Sequence, residues 1–472
     1  MRYKLKVLSP LHIGCGDKYS GLNFIIHDRK MFCIDPDIFI SEIGEHKVGR
    51  FVEWIESCTD AIDRIENQKR ILKRKKDPAA KNEIRKLNDL LRHQIQNFTL
   101  KKFIKENKMN LGQITGQALY FTIVQKGVYN DTEINPFIKQ MNHPYIPGTE
   151  IKGAIRTAVL YCSLLENKEL FLWLKHKFEK FQKDKSREIL DVANNKRPNS
   201  RIKKALAKDM AKIESEFQEK VLCSKPKDAK YDVMKYVQIG DSELLDAGKN
   251  LAISYVKPFN IFSKFSVFYE YIKPETEISL SMLKLESAKS LKIKLDKMGF
   301  NDRQKNIVSG IDKIFNHCYR FSKDLIKEEI SFFKAKGKQQ IVDQLNGIAL
   351  LNKHEAPVLR IGKDEGYNSL TVGLAVRNLD KNLYENVLIH ATKNKSYDSG
   401  HGGPMPKSRK IVYWNGKEMT SGWVQLMPEK DSASQPTSEK QPVNHPRQGQ
   451  KPATPADLSM LGNKFKVVRK NQ

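Results

Sequence analysis

The chain has 472 residues and carries 83 Lys and Arg against 55 Asp and Glu, a formal charge of +28. That balance points to a partner rich in negative charge, RNA or DNA first, and the lack of a long apolar run argues against a membrane-spanning helix. The six cysteines (Cys15, Cys33, Cys58, Cys162, Cys223 and Cys318) form no CxxC pair, so neither a zinc site nor a disulfide framework is expected, and the chain reads as cytoplasmic with reduced thiols.

The start, "MRYKLKVLSP", has too few apolar residues for a signal peptide and reads as a first strand. "LNFIIHD" and "KMFCID" predict a hairpin around Asp28 and Arg29. From about 38 to 107 the pattern becomes helical and very polar, with four consecutive cations from Lys73 to Lys76. "ALYFTIVQ" returns to strand. Ile151, Ala154, Ile155, Ala158, Val159, Cys162 and Leu165 then recur at helical spacing with one buried face. A basic helical block runs from 166 to 222, with a break near Pro198. Strands follow in "MKYVQIGDS", "NLAISYV", "SVFYEYI" and "TEISLSML". A third helical block spans about 284 to 351. In it Ile307, Ile311, Ile314, Cys318, Phe321 and Leu325 form a narrow seam suited to an intrachain helical hairpin. After Pro357, "VLRIG", "SLTVGLAV", "KIVYW" and "WVQLM" read as strands. From Pro428 the chain turns rich in Ser, Gln, Pro and Lys, which reads as disordered.

Strands and helical insertions thus come in two rounds, and the expected class is α+β. The expected domains are 1–230, with insertions at about 38–107 and 166–222, and 231–428, with an insertion at about 284–351. A basic tail of 429–472 follows.

Four glycine-rich stretches stand out. "YIPGTEIKGAIRTAV" (145–159) offers Thr149 as an N-cap, a helix start able to take phosphate, and Lys152 and Arg156 one turn apart. Gly148 and Gly153 leave room for close approach. The same residues also describe an ordinary capped helix with a solvated basic face, and Glu150 in the first turn supports that plainer reading. "SPLHIGCGD" (9–17) places His12, Gly14 and Gly16 after the first strand. It is either a close backbone approach to a ligand, with His12 able to act as acid or base, or a tight turn around a packed histidine. "LRIGKDEGYNSLTVG" (359–373) offers Gly362, Lys363, Gly366 and Tyr367 as a loop with a cation and a ring, and it lacks the ending of a nucleotide P-loop. "SGHGGPMPKSRK" (399–410) adds Lys407, Arg409 and Lys410. Together the four suit a track for a phosphate backbone.

These stretches together resemble the RAMP superfamily of CRISPR–Cas proteins, with "YIPGTEIKGAIRTA" the most specific of them. Within it the chain is similar to the subunit at the 3′ end of the guide RNA in type III-A (Csm) effector complexes. The resemblance covers both α+β halves and leaves the tail unaddressed. It implies two ferredoxin-like (RRM-like) domains with large helical insertions. It also implies a non-enzymatic subunit that caps the stack of backbone subunits, holds the guide and aids its maturation. Its implied partners are guide RNA, a neighbouring RAMP backbone subunit, a small helical subunit, host trimming nucleases and, indirectly, target RNA. No cofactor, metal or membrane is expected. The expected RNA contacts are His12, Gly14, Gly16, Gly148, Thr149, Lys152, Gly153, Arg156, Gly362, Lys363, Gly366, Lys407 and Arg409. Backbone subunits of such complexes cut target RNA with an aspartate; Asp17 and Asp241 are candidates by residue type alone. The alternative functions are a metal-independent guide-precursor endoribonuclease using His12, and a membrane- or polyanion-binding scaffold unrelated to RNA.

Overall fold

The computed structural model describes residues 2–74, 77–125, 127–194, 199–259, 266–285, 288–385 and 408–429. Lys407, the break near Pro198 and residues 430–472 of the tail lie outside them. The chain divides into two units, 39–109 and the remainder of the described residues.

The smaller unit is helical. Helix α1 (Pro36–Ile43) leads into it, followed by α2 (Glu45–Arg74), α3 (Pro78–Asn97) and α4 (Leu100–Glu106). Polar helices this long need help beyond propensity. Capping supplies part of it. The Asp77 carboxylate accepts from Ala79 N at 2.9 Å with Pro78 in the first turn, and Thr99 caps α4. An aromatic cluster supplies the rest: Phe39, Phe51, Trp54, Phe98 and Phe103, with the Phe51 and Phe103 rings 4.9 Å apart.

The larger unit is α+β. Its strands are β1 (Tyr3–Val7), β2 (Phe24–His27), β3 (Lys30–Cys33), β4 (Tyr120–Val124), β5 (Ile134–Asn135), β6 (Lys139–Gln140), β7 (His143–Pro144) and β8 (Val237–Ile239). They continue with β9 (Leu251–Phe259), β10 (Val267–Ile272), β11 (Glu277–Ser279), β12 (Leu283–Leu285), β13 (Val358–Arg360), β14 (Arg409–Trp414), β15 (Lys417–Met419) and β16 (Trp423–Pro428). Its helices are α5 (Leu111–Gly116), α6 (Gly148–Glu166), α7 (Lys168–Asp184), α8 (Ser186–Asn194), α9 (Ser200–Leu222), α10 (Ala247–Asn250) and α11 (Ala288–Lys297). The rest are α12 (Asp302–Ile307), α13 (Ile311–Lys334), α14 (Gln339–Leu351), α15 (Tyr367–Leu370), α16 (Gly373–Leu379) and α17 (Lys381–Leu383).

One sheet is antiparallel throughout, in the order β11-β1-β16-β13. The larger sheet runs β15-β14-β9-β4-β3-β2, with β10 beside β9 and β5 beside β10. Its β4–β9 and β5–β10 pairs are parallel. Both sheets draw strands from either side of residue 230. The β2–β3 hairpin turns through Asp28 and Arg29, whose φ angles of 46° and 59° make the tight turn that matches strand twist. Helices α6 and α13 pack against each other, with the Tyr161 and Phe321 rings 4.9 Å apart and the Tyr161 hydroxyl 2.9 Å from Asp324.

Two sequence expectations change. "SLTVGLAV" is not a strand: it contributes to α15 and α16, whose Leu374, Ala375 and Val376 are buried as α16 packs on α6. Gly366 opens α15 at φ 86°, and Thr371 breaks the run between the two helices. Ile307 sits on the separate helix α12, so the long seam begins at α13. There Ile314, Cys318, Phe321 and Leu325 are buried and α14 forms the second arm of the hairpin.

Candidate nucleic-acid interface

The loop between β13 and α15 is the hub of the site. Lys363 N–H donates to the His12 carbonyl at 2.8 Å. Gly362, at φ 86°, lies so close to that carbonyl that any Cβ would strike it. Lys410 pairs with Asp364, so the fourth stretch meets the third. Helix α6 packs on α15, and Glu150 is near enough to raise the Glu365 carboxyl pKa. The chain therefore gathers "LHIGCG", "YIPGTEIKGAIR", "RIGKDEGY" and "RK" from distant positions into one neighbourhood.

His12 is 2% exposed. Its Nδ1 donates to the Glu270 carbonyl at 2.7 Å, which leaves Nε2 as the acceptor. The ring lies 4.3 Å from that of Tyr269. Burial lowers its pKa to about 4; nearby Lys139 and Lys363 add to the effect, and the Glu270 carbonyl opposes it. It is a packed neutral imidazole. A Cβ at Gly14 would come within 3.2 Å of Nε2, so the glycine allows the exposed turn to close over the ring. Gly16, at φ 90°, is also exposed.

Helix α6 begins at Gly148 and has no side-chain cap; Thr149 lies inside its first turn, a correction to the expected N-cap. The cap comes from another element. The Asp241 carboxylate, at the end of β8, accepts from Gly148 N at 2.8 Å. A Cβ on Gly148 would meet the Ile239 carbonyl at 2.5 Å, so the glycine lets α6 press against that strand. With Asp241 and Glu150 at the positive end, the helix start is already compensated. The exposed flank is different. Gly153 faces open space, and Lys152 and Arg156 stand beside it. Arg156 is held 2.6 Å from Asp232. Burial, and then the neighbouring Arg156, pull the Lys152 pKa down, with Asp232 opposing. Two cations at a glycine gap make a surface that a polyanion backbone can approach closely.

Arg409 departs from the expected contacts. It is 7% exposed, its Nε lies 2.5 Å from Glu329, and its guanidinium covers the Phe332 ring at 4.2 Å. It belongs to a buried network: Arg360 lies 3.2 Å from Glu329, Arg409 3.9 Å from Glu328, and Arg377 2.5 Å from Glu328. Lys363 and Gly366 are exposed on the hub loop, and Gly362 is half-buried beneath it. Sequence reasoning misses Asp232, Asp241 and Asp364 as partners of these stretches. Only Asp241 carries a signal, its residue type beside a glycine at a strand end. Among the described residues no group of three or more His, Cys, Asp or Glu side chains is placed to hold a metal ion. Among the same residues no helix is long and apolar enough to cross a membrane.

The Csm5 protein of Methanocaldococcus jannaschii is 23% identical over 396 residues, covering 81% of this chain and 76% of that one. Csm5 of Streptococcus thermophilus is 25% identical over 169 residues, covering 34% of this chain and 37% of its own length. The crystal structure of T. onnurineus Csm5 matches with a TM-score of 0.57 at 19% identity, covering 89% of this chain and 99% of that one. A chain in the cryo-EM structure of the Csm–crRNA–target RNA ternary complex of a type III-A CRISPR–Cas system matches with a TM-score of 0.58. It is 20% identical, with 90% of this chain and all of that one covered. At such identities these two structures speak to the fold. The sequence model of the RAMP superfamily matches residues 4–349, well over half of the chain. Three glycine-rich stretches of the chain sit together in a fold shared with Csm5, and the chain belongs to the RAMP superfamily.

Proposed function

We propose that this protein is an RNA-binding subunit of a type III-A CRISPR effector complex and has no catalytic step of its own. The observation that carries the reading is the convergence of three glycine-rich, cation-bearing stretches at one place, joined there by Lys410. The fold likeness to a chain of a Csm–crRNA–target RNA complex supports it. In the finer form of the proposal the protein caps the backbone filament at the guide RNA 3′ end and aids guide maturation in the cytoplasm. Its partners are a RAMP backbone subunit, a small helical subunit and trimming nucleases, with target RNA reached through the assembly. The two sheets, each with packed helices, would be the ferredoxin-like halves of this reading.

Two measurements test it. Lys152→Glu with Arg156→Glu is expected to weaken guide binding and leave the melting temperature within a few degrees of wild type. For single-stranded RNA, the salt slope falls by about 0.7 for each phosphate that the protein ceases to neutralise. An unchanged slope together with unchanged assembly would make α6 an ordinary solvated helix.

The runner-up, a guide-precursor endoribonuclease, asks His12 to exchange a proton with RNA. A ring 2% exposed, with Nδ1 committed to a carbonyl, is poorly placed for that. Labelled precursor RNA is expected to stay intact with excess purified protein, with or without magnesium. Cutting at one defined position that vanishes in His12→Ala would establish the nuclease instead.

A further inference from the structure

The larger sheet exposes an apolar patch away from the glycine-rich hub. Strand β4 alternates buried and exposed side chains, and its outward residues are Phe121 and Ile123, 40% and 43% exposed. Leu119, just before it, is 37% exposed. Phe121 faces Phe32 on β3 as its direct cross-strand partner, with ring centroids 6.2 Å apart and planes inclined by 42°. These strands are interior: β4 lies between β9 and β3, and β3 between β4 and β2. Phenylalanines in the middle of a sheet normally sit under another layer. One side of Phe121 leans on α10, where a Cβ at Gly248 would come within 2.9 Å of the ring. Lys30 Nζ sits over the Phe121 ring, 4.9 Å from its centroid, and Lys249, the residue after Gly248, is exposed on α10. Nearby Asp246 uses its carboxylate to cap α10 through Lys249 N at 2.7 Å.

We propose that the Phe32–Phe121 pair on β3 and β4 is a base-stacking platform for single-stranded RNA. The proposal rests on the RNA-binding reading above and adds a second contact to it. Size favours RNA over a protein neighbour. A stable protein interface covers about 800 Å² per partner, whereas Leu119, Phe121, Ile123 and Phe32 make a footprint suited to one or two bases. Charge agrees: Lys30, swung off the ring by a stacked base, can meet a phosphate of that RNA, and a ring face accepts any base. The platform therefore holds RNA without reading its sequence, as a subunit serving many different guides requires.

The test uses the full chain and a single-stranded RNA carrying 2-aminopurine, whose fluorescence is quenched by stacking. Quenching on binding is expected. Phe121→Leu, alone and with Phe32→Leu, keeps apolar bulk but removes the ring; it should lift the quenching and weaken binding about tenfold. Phe121→Tyr should preserve both, and it keeps the test valid if the double variant folds poorly. Binding without quenching, or equal quenching in the leucine variants, overturns the platform and assigns the face to a protein neighbour. No RNA binding by the wild-type chain would overturn the functional reading as well.

Discussion

Glu329→Ala is expected to lower the melting temperature by roughly 5 °C, the largest stability loss we expect from any one substitution. Glu329 is 1% exposed on α13, and it holds Arg360 of β13 and Arg409 of β14 from opposite sides. Removing the carboxylate leaves two guanidinium groups buried without their shared counter-charge. Glu328 remains, but it already serves Arg377 of α16. Breaking a buried pair by deleting one partner costs about 3 to 5 kcal/mol, which in a unit of this size corresponds to the stated shift. Charge and packing can be separated. Replacing Glu329 and Arg409 together by apolar residues of similar volume removes one of the two stranded guanidinium groups and leaves Arg360, and should recover part of the loss. A melting curve for Glu329→Ala that overlays the wild type would show that the network is solvated and that burial does not govern it.

The same network shows what the sequence could and could not reveal. Helices announce themselves through spacing that is local: Ile151, Ile155, Ala158 and Cys162 need only their own neighbours to be read as one buried face. The β2–β3 hairpin is equally local, a two-residue turn between alternating strands. Strand partnership is not. β1 pairs with β11, more than half the chain away, and with β16, the last described strand, and β4 pairs with β9 across the long helical block that includes α6 to α9. No periodicity records those choices, and strands from both sides of residue 230 share each of the two larger sheets. "SLTVGLAV" misleads for a related reason. Its alternation suits a strand, but packing on α6 gives its apolar residues a better burial as short helices.

At the site, glycines are the legible signal because each marks a steric demand. Gly148 against the Ile239 carbonyl, and Gly362 against the His12 carbonyl, tolerate no side chain. Cations are less legible, since a lysine or arginine carries the same letter whether it meets RNA or a carboxylate inside the core. Lys152 and Arg409 both sit in promising contexts. One stands on a helix flank beside an open glycine; the other stacks on Phe332 in the interior. Only the position of Glu329, 80 residues away in sequence, separates them.

Glu365→Gln is expected to stabilise the protein increasingly as pH rises from about 4.5 to 8, with little effect at the acid end. Glu365 lies in the hub loop, 9% exposed, and its carboxyl pKa is pushed up to about 8 from the ordinary 4.5. Burial is the main cause, Glu150 adds to it, and Arg360 opposes it. Below 4.5 the folded and unfolded chains both hold the proton. Between 4.5 and 8 the folded chain keeps it and the unfolded chain releases it, so stability falls by up to about 1.4 kcal/mol per pH unit. Glutamine copies the neutral form and escapes that loss, a gain on the order of 4 kcal/mol by pH 8. His12 slopes the other way. Its folded pKa of about 4 lies below the ordinary 6.5, so its contribution is complete above 6.5 and is lost as pH falls toward 4. The two groups oppose each other between 4.5 and 6.5, and Glu365 acts without His12 from 6.5 to 8. Urea midpoints of both proteins across that upper range give the answer. Curves that diverge with pH place a protonated carboxyl beneath the hub loop, whereas parallel curves would mean that Glu365 is ionised and solvated in the folded protein.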